Sequence, residues 1–420
     1  MLLIKNGRVL GTPFDACDLL IDDEKIVEIG ESIEATADTM VIDAAGLWVA
    51  PGLVDMHVHL REPGFEYKED ILTGSAAAAA GGVTTMCCMP NTAPVIDNAG
   101  AIRNILDRAI EAAVTVLPIG AVTMGQNGQE LTNFFALKAA GAIALSDDGN
   151  SVQNARLAYL AMELAKDQDL LIISHCEDAD LVQNNALNEG RVSRELGLPG
   201  RPAIAEELMV SRDTMLAAQT GAKLHIAHVS TANSVEIIRK AKEARVNVTA
   251  ETCPQYFTLT EEEVLKQGPL ARVNPPLRTQ NDVEAIIFGL LDGTIDAIAT
   301  DHAPHSVEEK ARELTEAPSG MIGLETSLAL ALTQLYHSNM MSIEEIIKLM
   351  STNPARILGI EAGEIQTGAI ADIVIFDPDE EWTVDPEQFK SKARNSPFSG
   401  MELKGKVKYT ISRGRVVFGN

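Results

Sequence analysis

The sequence lacks any run of roughly 18 uninterrupted apolar residues, so no stretch of it reads as a membrane-spanning helix. Its opening, Met1-Leu2-Leu3-Ile4-Lys5-Asn6-Gly7-Arg8, has no basic region followed by a long apolar core, and the expectation is a soluble, cytoplasmic protein. Cysteine is scarce and unpatterned. The five residues, Cys17, Cys87, Cys88, Cys176 and Cys253, are odd in number, show no Cys-x-x-Cys spacing and lie mostly within apolar runs, which argues for buried free thiols over a disulfide framework. Positive charge is also short: 34 basic against 60 acidic residues give a formal net charge of -26 and a pI near 4.7. Such a surface repels phosphate backbones and anionic lipid, so neither nucleic acid nor a membrane is an expected partner. What remains, 46% hydrophobic and 22% charged residues over 420 positions, is the composition of a folded chain with a large core.

From residue 47 the chain repeats one unit: a short β-rich apolar run, a polar or Gly/Pro break, then a stretch with helical periodicity. The runs are Leu47 to Leu60, Gly82 to Met89, Val114 to Val122, Ala142 to Leu145, Leu170 to Ser174, Ala222 to Val229, Val246 to Thr252 and Ile295 to Thr300. Between them Ile71 to Ala80 (stopped by Gly81-Gly82), Ala155 to Lys166 and Ser234 to Ala244 read as helices, the last preceded by the capping candidates Ser230 to Asn233. Eight alternations predict a closed (β/α)8 barrel of TIM type. A Gly-x-Gly-x-x-Gly loop after the first run is absent, which weakens a dinucleotide-binding alternative.

Barrel enzymes carry their chemistry at the carboxyl ends of the strands, and here those ends are polar. The first ends in Asp55-Met56-His57-Val58-His59-Leu60-Arg61, where two histidines at i and i+2 share one face of an extended segment and can reach one metal ion. The others end in Pro90-Asn91, Ser146-Asp147-Asp148-Gly149, His175-Cys176-Glu177-Asp178, His225 to His228 and Asp301-His302-Ala303-Pro304-His305. Singly these residues read as turn and cap positions. Converging on one mouth, they need a counterion, and a divalent cation supplies it. Four imidazoles and two carboxylates suit zinc, with room for two ions bridged by a carboxylate.

This pattern resembles the amidohydrolase superfamily, and the strings Pro51 to Gly64, Met89-Pro90-Asn91-Thr92 and Ala299 to His305 look like the class I bacterial dihydroorotases over essentially the whole chain. The resemblance implies His57, His59, His175, His228 and Asp301 as metal ligands, with Asp148 favoured as the carboxylate that bridges two zinc ions and Asp147 as the alternative. Many relatives carry a lysine at this place, whereas the nearest lysine here, Lys138, lies back in the preceding helix. The resemblance further implies a metal-bound hydroxide that opens or closes a cyclic amide, interconverting N-carbamoyl-L-aspartate and L-dihydroorotate in pyrimidine biosynthesis. Asp301 is the implied proton carrier. Arg61, Asn91 and His305 are implied to hold the substrate carboxylate, and Asn274 the ring. The position of Arg61, two residues beyond His59, independently supports a guanidinium beside the metals.

Two places depart from the family wording: Cys253-Pro254-Gln255-Tyr256, where a pair of histidines often follows the proline, and Pro318-Ser319-Gly320, where Phe often precedes the glycine. They bear on packing around the substrate ring. His225, His302 and His337 read as structural. Rival readings are another cyclic amidohydrolase (dihydropyrimidinase, hydantoinase or allantoinase) and an inactive partner of aspartate carbamoyltransferase. A homodimer is the family expectation, and an active enzyme could also bind that transferase.

Residues 1–46 and 360–420 fall outside the repeat and contain short alternating runs: Leu2 to Leu10, Cys17 to Ile21, Lys25 to Ile29, Asp372 to Phe376 and Val407 to Phe418. They are expected to join as one small β-sandwich flanking a catalytic barrel of residues 47–359. Ser306 to Gly320, charged and without an apolar period, reads equally as a lid over the site or an ordinary solvated loop.

Overall fold

The structure is a computed structural model that describes residues 1–13, 16–183 and 185–419. Eight strands, Leu53–Val58, Val83–Cys88, Thr115–Gly120, Ala144–Ser146, Leu171–Ser174, Lys223–Ile226, Val248–Thr252 and Ala297–Ile298, pair in parallel in chain order. The first and last meet through a Val58–His302 bridge and a 2.8 Å hydrogen bond from His59 N to His302 O, which brings the sheet round to a barrel. Strands of a parallel sheet are covered on both faces, and that is why they read as continuous apolar runs. Helices wrap the outside. Ile71–Ala80 begins where the Asp70 carboxylate accepts from Thr73 N and ends at Gly81; its alanines bury Ala77 to Ala79 against the strands. Ala232–Glu243 is capped by the Thr231 hydroxyl, which accepts from Ser234 N.

The chain ends build a second sheet from Leu2–Val9, Cys17–Asp22, Lys25–Gly30, Met40–Asp43, Trp48–Pro51, Ile373–Thr383, Glu402–Ser412 and Arg415–Phe418. Its two halves share one apolar cluster, in which Leu19 and Ile21 from one side meet Ile373, Ile375 and Ile411 from the other, the packing of a sandwich.

The expected strand Leu47 to Leu60 is two strands. Trp48–Pro51 pairs with Ile373 to Phe376 in the chain-end sheet, and only Leu53–Val58 enters the barrel. The break falls at Gly52, whose N–H donates to Asp372 O and where an added Cβ would lie 2.2 Å from the Thr84 hydroxyl oxygen. An unbroken buried run gives no sign of which sheet each residue joins. Met40–Asp43 was not expected as a strand; only Ile42 is buried in it, so no alternation is visible. The last barrel strand, expected over Ile295 to Thr300, shrinks to Ala297–Ile298.

Candidate metal centre and active site

His57 and His59 leave the first strand on the same side, as their spacing requires, and the far ends of the fourth, fifth, sixth and eighth strands deliver Asp148, His175, His228 and Asp301 to them. All six are buried, none more than 7% exposed. His57 Nε2 lies 3.3 Å from Asp148 Oδ1 and 3.6 Å from Asp301 Oδ1, and His59 Nε2 lies 3.0 Å from Asp301 Oδ1. His175 Nδ1 and His228 Nε2 are 2.8 Å apart. Two ligand-like groups result: His57 with Asp148 and His228, and His57 with His59 and Asp301.

The donor set fits a divalent cation. His57 Nε2 and Asp148 Oδ1 are buried without a hydrogen-bond partner, a costly state for two such atoms in one cluster. Burial alone would push the histidines toward neutrality. Asp148 and Glu251 instead hold His57 well above its ordinary pKa, and Asp148 with Glu177 holds His175 up to about 10, so the local field favours positive charge strongly. Three of the residues here, Arg61, His228 and Asp301, have positive φ (62°, 35° and 48°), a backbone conformation that surrounding contacts must enforce.

Asp147 does not join the cluster. Its carboxylate accepts from Val122 N, Thr123 N and the Thr123 hydroxyl at 2.8, 3.0 and 2.5 Å, and so fixes the loop after the third strand. Lys138 is exposed and donates to Gln168 O, away from the mouth.

Beside the cluster opens a cavity of about 220 Å³ lined by His59, Arg61, Asn91, Asp148, Asn274, Asp301 and His305, with Ser319 and Gly320 as one wall. A roomier cleft of about 330 Å³ lies at the seam between barrel and sheet, but no such groups converge there. Arg61 is fixed by its Nε donating to Pro304 O at 3.1 Å; burial lowers its pKa to about 10, and it keeps its charge. His305 Nε2 is 2.9 Å from Ser319 O and 3.4 Å from Arg61 Nη2. Burial and the cations Arg61 and Lys68 push His305 down to about 2, so the ring is neutral and its Nε2–H belongs to the carbonyl. Asn91 Oδ1 sits 2.9 Å from His59 Nδ1, accepting its proton and leaving His59 Nε2 to face the cluster.

Several groups were not singled out in the sequence. Arg201 Nη1 donates to Glu177 Oε2 at 2.8 Å and to Asn274 Oδ1, which turns the Asn274 amide so that Nδ2 faces His175 at 3.4 Å. Asp55 accepts from His57 N and from Thr300 N and Oγ1, tying strand one to strand eight just before Asp301. Its position two before His57 was a legible signal; Arg201 offered none. Glu251 bridges His57 and His225, and Glu69 faces His302 Nε2 at 3.5 Å. The Ser306 to Gly320 segment contains the helix Val307–Lys310, and the buried Lys310 ammonium donates to Arg272 O, Pro318 O and Gly320 O.

A family profile described as Dihydro-orotase-like matches residues 46–234, and one described as Amidohydrolase family matches residues 297–418. The chain is 50% identical over 421 residues to a dihydroorotase of Clostridioides difficile (strain 630), covering 100% of both chains. The chain belongs to the dihydroorotase family. A second dihydroorotase, from Ruminiclostridium cellulolyticum, is 51% identical over 420 residues, with 99% of this chain and 98% of that one covered. Among solved structures, the L-hydantoinase (dihydropyrimidinase) of Arthrobacter aurescens superposes with a TM-score of 0.89 at 27% identity, over 100% of this chain and 96% of that one. The dihydropyrimidinase of Brevibacillus agri gives 0.87 at 27% identity, over 100% and 95%. The hydantoinases thus share the fold at much lower identity than the dihydroorotases do. Membership of a metal-dependent cyclic amide hydrolase family agrees with the clustered His and Asp groups. Among the described residues no helix is long and apolar enough to cross a membrane.

Proposed function

We propose that this chain interconverts N-carbamoyl-L-aspartate and L-dihydroorotate, with two zinc ions held by His57, His59, Asp148, His175, His228 and Asp301 and bridged by Asp148. The observation that carries this reading is that the Asp148 carboxylate lies 3.3 to 3.5 Å from a ring nitrogen of each of the four histidines, at a mouth that also holds Arg61. Bound at such a site, a divalent cation polarises the ring carbonyl and brings the pKa of water from 15.7 toward about 7.

The chain's own residues supply the rest. Asp301 takes the proton of the attacking water on a carboxylate oxygen and returns it to the leaving ring nitrogen, for it lines the cavity and contacts both His57 and His59. Arg61 holds the substrate carboxylate, a forked cation against a forked anion. Asn91 donates from Nδ2, since its Oδ1 is engaged by His59, and His305, beside Arg61, would reach the same anion by turning its Nε2–H from Ser319 O. Asn274 offers Nδ2 to a ring oxygen because Arg201 occupies its Oδ1. Ser319 and Gly320, stapled through Lys310, wall the cavity from solvent.

The barrel is the catalytic unit in this reading, and the chain-end sheet contributes no catalytic residue. The reading extends to a cytoplasmic homodimer able to bind aspartate carbamoyltransferase, which light scattering of the protein alone and mixed with that transferase tests. The activity itself is tested by spectrophotometric hydrolysis of L-dihydroorotate before and after chelation and zinc return, with dihydrouracil and hydantoin as controls. Activity on dihydroorotate that is lost with chelator and restored by zinc is expected. Preference for the uncharged rings would refute the role of Arg61, and no activity on any ring with metal bound would favour the partner reading.

A further inference from the structure

We propose that Glu251, held from behind by His225, is a positioning residue that fixes the tautomer and orientation of His57 toward the metal centre. The inference rests on the metal-centre reading above and concerns two residues that have no part in it.

Glu251 lies in the barrel strand Val248–Thr252, and Glu251, His57 and His225 are all 0% exposed. Its Oε1 is 2.8 Å from His57 Nδ1 and its Oε2 is 3.2 Å from His225 Nε2; His225 Nδ1 is in turn 2.8 Å from the Thr249 hydroxyl. An ionised carboxylate only accepts, so both imidazoles must donate to it, His57 from Nδ1 and His225 from Nε2. A neutral His57 then carries its lone pair on Nε2. That is the atom left without a hydrogen-bond partner and facing Asp148 at 3.3 Å. His225 is held on its far side by the Thr249 hydroxyl, 2.8 Å from Nδ1. The row Thr249, His225, Glu251, His57 is continuous, and it places one negative charge directly behind a proposed ligand.

No lysine or arginine among the described residues lies within ion-pair distance of Glu251, which faces the two histidines. Buried carboxylates are costly without a compensating cation. The shorter of the two Glu251 contacts is to the His57 ring, on whose other side Asp148 and Asp301 converge. A carboxylate behind a ligating imidazole raises its basicity and fixes its tautomer and ring orientation, and losing such a partner costs about 10- to 100-fold in metal affinity.

The test is zinc affinity of the metal-free protein, measured by competition with a chromophoric chelator, together with the visible absorption of the cobalt(II) form. Glu251→Gln preserves shape and removes the charge. Its amide oxygen still accepts from His57, and its NH2 forces His225 into the other tautomer. Expected are a zinc affinity about 10- to 100-fold weaker than wild type, an altered cobalt band and a metal-free melting temperature close to wild type. Unchanged affinity and spectrum in a folded Glu251→Gln overturn the proposal. If that variant does not fold, His225→Leu and His225→Gln replace it. The first removes a donor to Glu251 and should weaken zinc binding several-fold; the second can still donate and should lie close to wild type, and equal affinity in both overturns the proposal. A wild-type protein that binds no zinc at all removes the metal-centre reading itself, a separate outcome.

Discussion

In the chain-end sheet the buried carboxylate Asp18, 1% exposed, accepts from Asn6 N and Ile33 N at 2.9 Å each and pairs with Lys5 at 3.3 Å. Around it Leu19, Ile21, Ile26, Ile373, Ile375 and Ile411 fill an aliphatic core. At the barrel mouth Asp148, 3% exposed, faces four histidines, and its Oδ1 makes no hydrogen bond. The two regions are equally buried but settled on different terms. The sheet satisfies its polar atoms from its own residues and draws stability from apolar packing. The mouth leaves atoms whose partner must come from outside the chain, so its burial serves chemistry and costs stability until that partner arrives.

The contrast is open to attack by substitution. Asp301→Asn should lower turnover on dihydroorotate by about 10³-fold, within the range of general acid–base roles. Near-normal turnover would sink the proton-carrier role. Zinc at about a thousand times its dissociation constant should stabilise the fold by about 4 kcal/mol. Thermal melts should show that shift undiminished in sheet variants and much reduced in Asp148→Asn; a full shift there would remove Asp148 from the ligand set. Ile375→Ala, in the sheet core at 0% exposure, should cost about 2–5 kcal/mol in urea unfolding. Its turnover per folded molecule should match wild type, and a comparable loss of turnover would break the separation of the two regions.

The smallest effect belongs to the seam between them. Glu325 accepts from Lys390 N and Ser391 N, and burial, with the charge of Glu69, pushes its pKa up to about 7. A folded-state pKa above the ordinary 4.5 means that Glu325 favours folding while protonated. That contribution is complete below pH 4.5 and is lost as pH rises through 7. Glu325→Gln, whose amide oxygen can keep both backbone bonds, should therefore be more stable than wild type above pH 7 by about 1 kcal/mol, with the advantage vanishing toward pH 4.5. Equal denaturation midpoints at pH 8 would show that the seam does not strain this carboxylate.

The sequence by itself determined the eight strands, the barrel and most of the candidate site. The His57 and His59 pair follows from the two-residue period of an extended chain, and the other candidate ligands were marked by polar residues that end apolar runs, both local signals. Its account of Leu47 to Leu60 as one strand failed because a run buried throughout has no period to show where it changes sheets. The resemblance favoured Asp148 over Asp147, but only the tertiary structure shows what Asp147 does instead, since the Val122 and Thr123 groups that claim it come from another strand's loop. The structure alone disclosed Glu251 behind His57, 194 positions away, and Arg201 turning Asn274 from 73 positions away. A side chain that acts through another carries no pattern of its own; its role exists only once the barrel has brought distant strands to one mouth.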